Sequence, residues 1–222
     1  MKLLLTSNGL SNQSIANALF DLVGKSAAET FITFIPTVMN VGSGDKEWFI
    51  DDLCNIKKQG PKNIDIVDIS ALPKDIWLPR IEAADVLFFS GGNSFHLMRW
   101  INESGLAELL PGLLKTRVWA GISAGSMVTN PTLALSSKDK KIYYEEKFGY
   151  KSEKALGFVD FYTRPHFNSP DFPQATKDYL EEIAKDIPDT IYALDDNSAL
   201  KVVDGNVEVV TEGEYLILNS DG

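Results

Sequence analysis

The stretch Val118–Ser126 constrains the fold of this chain more than any other. A short apolar run that predicts a buried strand leads directly into Gly-x-Ser-x-Gly, and small residues that can begin a helix follow it. A turn of this kind holds its serine in a strained conformation with no space for bulky neighbours, which accounts for the flanking glycines and for Ala124. The stretch therefore predicts a nucleophile elbow with Ser123 as the nucleophile. A glycine-rich turn with an ordinary serine has the same pattern.

Length and charge limit the classes of protein to consider. With 222 residues, 44% of them hydrophobic and 23% charged, we expect one α/β domain over residues 1–222 with a sizeable core. The net charge of −10 disfavours nucleic acid or an anionic membrane as partner, because binding to phosphate groups needs a cationic surface.

The single cysteine and the first residues bear on the cellular compartment. Cys54 has no partner for an intrachain disulfide, which fits a reducing cytosol, and we expect it to be packed as a small hydrophobic residue in an amphipathic helix. The apolar run after Met1 ends at Thr6, which is too short for a secretion signal, and no segment approaches transmembrane length. We expect a cytoplasmic protein.

Strands and helices alternate along the chain, and this predicts a doubly wound, mostly parallel α/β sheet with flanking helices. The expected strands are Lys2–Thr6, Thr30–Pro36, Asn63–Ile69, Val86–Phe89, Val118–Ala120, Leu156–Tyr162, Ile191–Leu194 and Tyr215–Leu218, with a C-terminal β-hairpin of Ala199–Val203 and Val207–Val210 across Asp204-Gly205. The expected helices are Asn12–Val23, one that ends near Gln59, Ile76–Ala84, Ser94–Trp100, Leu106–Leu114 and Asp171–Lys185. Residues 136–150 are highly charged and are expected to form an exposed excursion with little core.

Two glycines follow the expected strand Val86–Phe89. Gly91 and Gly92 permit a close approach of the backbone to a ligand and can present free N–H donors. In a doubly wound sheet, ligands bind at the carboxyl ends of the strands, where both these glycines and Ser123 are expected.

A serine nucleophile needs a base within hydrogen-bond reach, and the chain contains two histidines. His96 lies in an expected helix, where an ordinary packed or surface histidine is the simplest interpretation. His166 follows Pro165 near the end of an expected strand, where catalytic residues often lie. We therefore expect His166 to be the base, and a packing or capping role is the alternative.

The base in turn needs an orienting acid. Asp195 and Asp196 both follow the expected strand Ile191–Leu194, and only one of them should face His166, because successive side chains point in opposite directions. Asp139, in the charged segment, is a weaker alternative. The distant histidines and the single cysteine do not have the spacing of metal ligands, so we expect no metal and no cofactor.

Four motifs in this order carry a resemblance to a known family: Phe89–Phe95 (FSGGNSF), Gly121–Gly125 (GISAG), Arg164–His166 (RPH) and Ala193–Leu200 (ALDDNSAL). Together they resemble peptidase family S51, which includes aspartyl dipeptidase (peptidase E) and cyanophycinase. The family lies within the class I glutamine amidotransferase-like superfamily. The resemblance implies a flavodoxin-like sheet of the class I amidotransferase type.

The resemblance also implies roles for particular residues. It points to Ser123 as nucleophile and His166 as base, with an oxyanion hole of backbone N–H groups at Gly92 and Ala124. Asp196 fills the position in which the family commonly carries Glu, which favours it over Asp195 as the acid.

Peptidase E releases an N-terminal aspartate from Asp-x dipeptides, which requires a cation for the substrate carboxylate. Arg164 is our candidate for that cation, and Asn93 is a second candidate substrate-binding residue.

The resulting hypothesis is a serine peptidase that cleaves short peptides, with dipeptides bearing N-terminal Asp among them, through an acyl-enzyme. A short peptide is then the expected partner, and the chain would act as a monomer or homodimer. Two other interpretations are open: a catalytically silent member that binds a small ligand, and an esterase or amidase with the same triad.

Overall fold

The computed structural model describes residues 1–220, which form two β-sheets with helices packed around them. The strands, in chain order, are Lys2–Thr6 (β1), Phe31–Ile35 (β2), Asn63–Ile66 (β3), Val86–Phe89 (β4), Val118–Ile122 (β5), Tyr162–Pro165 (β6), Ile191–Leu194 (β7), Ser198–Val203 (β8), Asn206–Thr211 (β9) and Tyr215–Leu218 (β10). The α-helices are Gln13–Val23 (α1), Glu47–Lys58 (α2), Lys74–Glu82 (α3), Ser94–Glu103 (α4), Leu106–Leu113 (α5), Ala124–Met127 (α6), Lys138–Phe148 (α7) and Lys177–Ile183 (α8). Within this part of the chain, no helix has the length and apolar character needed to cross a membrane.

The larger sheet has the strand order β3-β2-β4-β5-β1-β8-β9, in which β1 to β5 are parallel and β8 and β9 are antiparallel. One face is covered by α1 and α2 through residues such as Ile15, Leu19 and Ile56, and the other by α3 to α5 through residues such as Trp77 and Ile101. Helices on both faces of a mostly parallel sheet confirm the predicted doubly wound α/β fold. The order also brings the carboxyl ends of β4, β5 and β1 side by side.

The predicted C-terminal hairpin is confirmed. β8 pairs with β9 along its whole length, from Ser198 opposite Thr211 to Val203 opposite Asn206. Asp204 and Gly205 both have positive φ, 48° and 86°, as a tight two-residue hairpin turn requires. β10 joins β7 and β6 in a separate three-stranded sheet.

The predicted strand Leu156–Tyr162 is wrong, since the strand runs from Tyr162 to Pro165. The backbone N–H groups of Leu156, Gly157 and Phe158 donate instead to carbonyls just after α6, those of Val128, Asn130 and Thr129. Apolar residues here therefore cover the end of a helix rather than extend a sheet.

The predicted helix Asp171–Lys185 is shorter than expected. Thr176 has an extended conformation (φ −81°, ψ 157°), so it separates a 3-10 turn at Pro173–Ala175 from α8. A second 3-10 turn, Ala184–Asp186, ends the segment.

The charged segment 136–150 is mostly exposed, as expected, and among its residues Tyr144 alone is buried. It forms α7, whose Tyr144 is completely buried and bonds through its hydroxyl to His96 Nδ1 at 2.9 Å. The ring of Phe148 stacks on Tyr144. The segment thus folds back against α4.

Cys54 is exposed, contrary to the expectation that it is packed. Helix α2 buries Asp52 and Ile56, which are four residues apart and share one face of the helix. Cys54 lies midway between them in sequence and therefore on the opposite face.

Candidate active site

Ser123 occupies a sharp turn between β5 and α6 with φ 47° and ψ −101°, a conformation that residues other than glycine rarely adopt. The glycines of the motif are required by close packing. A Cβ on Gly121 would lie 2.4 Å from the carbonyl of Gly125, and one on Gly125 would lie 2.3 Å from the carbonyl oxygen of Phe89. The local structure is therefore that of the predicted elbow, with the serine side chain presented at the sheet edge.

The structure brings Ser123, His166 and Asp196 together. His166 Nε2 lies 2.9 Å from Ser123 Oγ, and Nδ1 of the same ring lies 2.7 Å from Asp196 Oδ1. His166 follows β6 and also has positive φ (64°), so two of the three residues have strained backbones. If Nδ1 carries the proton and donates it to Asp196, then Nε2 is free to accept the serine proton.

Ser7 supports this arrangement, and sequence reasoning did not identify it. Its Oγ donates to Asp196 Oδ1 and accepts from the backbone N–H of His166, both at 2.8 Å. Ser7 follows β1, whose carboxyl end lies beside that of β5. The ring of Phe172 stacks on the His166 ring with centroids 3.9 Å apart.

The surroundings of Asp196 keep it ionised. Partial burial alone would raise the pKa of its carboxyl, but the hydrogen bond and charge of His166, together with the Ser7 hydroxyl, lower the pKa below its ordinary value. An ionised Asp196 can stabilise a positively charged imidazole on His166.

The other candidates for base and acid lie elsewhere. Asp195 caps its own loop by accepting from the N–H groups of Asn197 and Glu214. Asp139 borders a neighbouring cavity. His96 is bonded to Tyr144, and burial, with a contribution from the charge of Arg99, lowers its pKa to about 4.

Gly92 and Ala124 hold positions suited to an oxyanion hole. The N–H groups of both residues lack a hydrogen-bond partner within residues 1–220. Gly92 has φ 142°, and a Cβ there would lie 2.4 Å from the carbonyl oxygen of Val38. The second of the paired glycines is therefore required sterically.

The three residues face a cleft of about 460 Å³. Its lining also contains Asn8, Trp48, Asp52, Gly91, Gly92, Ile122, Lys140, Ser169, Asp171 and Phe172. The lining contains both apolar and polar groups, so the cleft suits a small molecule with both kinds of surface.

The two predicted substrate-binding residues do not line this cleft. The side-chain oxygen of Asn93 caps α4 by accepting from the N–H groups of Phe95 and His96. Arg164 is buried, donates to the carbonyl of Gln174 and lines a different cavity; burial lowers its pKa to about 10. The expectation that Arg164 provides the cation in the cleft therefore conflicts with its placement.

Lys140 provides a cation in the cleft instead. Its Nζ donates to the carbonyl of Gly92 at 2.8 Å, and burial, with the nearby charge of Arg164, lowers its pKa. Lys140 belongs to the charged segment that was expected to be exposed, so no pattern in the sequence indicated this role.

Comparisons with known proteins agree with the motifs. A model of peptidase family S51 matches residues 3–210. An uncharacterized peptidase of Pasteurella multocida is 26% identical over 79% of this chain and 85% of its own length. Peptidase E of Streptomyces coelicolor is 32% identical over 56% of this chain and 51% of its own length.

Two solved structures share the fold. A Listeria monocytogenes EGD-e protein assigned as a peptidase E superposes with a TM-score of 0.78, at 21% identity, over 96% of this chain and 98% of that one. A peptidase from an acI-B1 actinobacterium has a TM-score of 0.63 at 19% identity, over 100% of this chain and 95% of that one. With the family model matched over nearly its whole length, the chain belongs to peptidase family S51.

Proposed function

We propose that the protein is a serine peptidase that hydrolyses short peptides, with residues 1–222 acting as one catalytic domain. The observation that carries the proposal is the line of hydrogen bonds from Ser123 through His166 to Asp196 at the wall of a cleft. The geometry matches what nucleophilic catalysis by serine needs: a base in reach of the hydroxyl and an ionised acid behind that base.

In the proposed reaction, Ser123 Oγ attacks the scissile carbonyl carbon while His166 Nε2 takes the hydroxyl proton. The N–H groups of Gly92 and Ala124 donate to the oxyanion that forms. His166 then gives its proton to the leaving amine, which departs and leaves an acyl-enzyme on Ser123. Water, deprotonated by His166, attacks this ester, and collapse of the second oxyanion restores the serine hydroxyl with the returned proton.

Dipeptides with N-terminal aspartate are the substrates that we propose in particular. Such a substrate carries a side-chain carboxylate close to the scissile bond, and it needs a cation in the cleft. Lys140 meets this need, because it lines the cleft and forms no ion pair among the described residues. We therefore assign to Lys140 the role first considered for Arg164.

The test is release of free amino acids from a panel of x-Leu dipeptides, including Asp-Leu and Ala-Leu, by wild type and Ser123→Ala. We expect wild type to release leucine from Asp-Leu fastest and Ser123→Ala to release none. Release from other dipeptides at equal rates would support the triad and refute the aspartate preference. Activity of Ser123→Ala equal to that of wild type would refute the assignment of Ser123 as the nucleophile. If no dipeptide is cleaved, faster hydrolysis of esters would favour the esterase alternative.

A further inference from the structure

Besides Asp196, two carboxyl groups line the cleft, the exposed Asp171 and the buried Asp52, and neither has a role in the proposed reaction. Asp52 is only 3% exposed, and its Oδ2 is fully enclosed without a hydrogen-bond partner in the described chain. Among residues 1–220 no lysine, arginine or histidine forms an ion pair with it. A buried carboxyl group without a partner destabilises a fold, so its presence at the wall of a site calls for an explanation.

The position of Asp52 is fixed by the helix that carries it. It lies on the buried face of α2, one turn before Ile56, which is completely buried in the core. From there Asp52 lines the same cleft as Ser123. A Cβ atom added to Gly9 would lie 3.0 Å from Asp52 Oδ1 and 3.3 Å from Ile122 Cδ1. Because both atoms lie close to this one point, the Asp52 carboxyl group is near the side chain of Ile122, the residue before the nucleophile.

The unpaired carboxyl group of Asp52 favours a cationic ligand. Burial, with a contribution from Asp51, raises the pKa of the Asp52 carboxyl to about 7 in the free protein. A ligand cation beside it would reverse this effect and supply the missing hydrogen-bond donors. The cation of the cleft itself, Lys140, is bonded to the carbonyl of Gly92 and leaves the acid unpaired.

We propose that Asp52 binds the free α-ammonium group of the substrate and so restricts cleavage to the first peptide bond of a chain. This inference rests on the proposed function, because it assumes that Ser123 attacks the substrate. The α-nitrogen is attached to the carbon next to the scissile carbonyl, so a substrate held at Ser123 places its terminus near Ile122, where the Asp52 carboxyl lies. Asp52 would then receive the α-ammonium group, and Lys140 the side-chain carboxylate, of a peptide with N-terminal aspartate.

The test compares three phosphonate diphenyl esters as covalent inhibitors. One is derived from alanine with a free amine, the second is its N-acetyl form, and the third is an N-acetyl reagent with a lysine-type side chain. In each case Ser123 Oγ forms a bond to phosphorus, phenoxide leaves, and His166 receives the serine proton. The inactivation constant kinact/KI is measured for wild type, Asp52→Asn and Glu47→Gln, which removes an exposed acid from the same helix.

We expect wild type to react about 10- to 100-fold faster with the free-amine reagent than with its N-acetyl form, as loss of a charge-assisted contact implies. Asp52→Asn should bring this ratio close to one, and Glu47→Gln should preserve it. Equal rates in wild type, or an unchanged ratio in Asp52→Asn, would overturn the inference. So would an Asp52-dependent preference for the lysine-type reagent, which would assign the site to a side-chain ammonium.

Two features keep the test decisive. If none of the reagents modifies Ser123, the proposed function fails and the inference fails with it, whereas modification without amine preference refutes the inference alone. The wild-type ratio needs no variant, and Asp52→Ala serves if Asp52→Asn does not fold.

Discussion

Replacing Asp52 by Asn should change how the stability of the protein depends on pH. The pKa of Asp52 is about 7 in the fold, against an ordinary value of 3.8. Between these values the folded protein holds a proton that the unfolded chain has released, so the free energy of unfolding of wild type falls as pH rises from about 4 to about 7. Above pH 7 the loss is complete and constant.

The magnitude follows from the two pKa values. At 1.36 kcal/mol for each pKa unit, the difference amounts to about 4 kcal/mol of stability lost by wild type at pH 8. Asparagine does not titrate, so Asp52→Asn escapes this loss. Its amide is also buried without a partner, which costs about 1–3 kcal/mol, but that cost is the same at every pH.

Urea unfolding of wild type, Asp52→Asn and the control Glu47→Gln between pH 4.5 and pH 8.5 measures the effect. The free energy of unfolding of Asp52→Asn relative to that of wild type should increase by about 3 kcal/mol over this range, and most of the increase should occur between pH 4.5 and pH 7. Glu47→Gln should show no such increase, because that carboxyl is exposed. A relative stability of Asp52→Asn that does not vary with pH would refute the account of Asp52 as an unpaired buried acid.

Three further substitutions test other parts of the site. Ser7→Ala removes the hydroxyl that bonds to Asp196, and kcat for a cleaved dipeptide should fall about 3- to 10-fold with little change in KM. Gly92→Ala places a Cβ 2.4 Å from the carbonyl oxygen of Val38, so the oxyanion donor should shift and kcat should fall about 100-fold or more. Lys140→Met should lower kcat/KM for Asp-Leu about 10- to 100-fold and that for Ala-Leu much less.

Matched controls accompany these variants. Gly112→Ala adds a methyl group that meets no heavy atom within 4 Å apart from its chain neighbours and the backbone of its own helix, and Lys147→Met removes an exposed charge from the helix that carries Lys140. Both should keep wild-type kinetics. Unchanged kcat in Ser7→Ala or Gly92→Ala, or equal losses on both dipeptides in Lys140→Met, would contradict the roles assigned to those residues.

The parts of the site that were predicted from sequence are those encoded locally. The elbow at Ser123 follows from glycines that the turn requires and from an apolar strand just before it. The doubly wound sheet follows from the alternation of strands and helices, and the turn at Asp204 and Gly205 from residues that tolerate positive φ. With only two histidines in the chain, the choice of base was narrow, and the structure places His166 next to Ser123.

The features of the site that were not predicted from the sequence depend on contacts between segments that are distant in the chain. Lys140 lies in a segment whose composition is that of a solvated surface, and its place in the cleft depends on the packing of α7 against α4, to which Tyr144 contributes. The residues around Asp52 in the sequence are those of an exposed helix position, yet Asp52 lies on the buried face of α2, one turn from Ile56. Arg164 was expected to face the cleft because it is close to His166 in sequence, but its side chain points to another cavity.

Covalent modification of Ser123 tests the central claim most directly. Wild type, Ser123→Ala and the control Ser26→Ala, which removes an exposed serine, would be incubated with a small fluorophosphonate and their masses measured before and after digestion. We predict a single adduct in wild type and Ser26→Ala, on the peptide that contains Ser123, and none in Ser123→Ala. Cleavage of dipeptides by a protein that forms no adduct at Ser123, or forms it at another serine, would contradict the account.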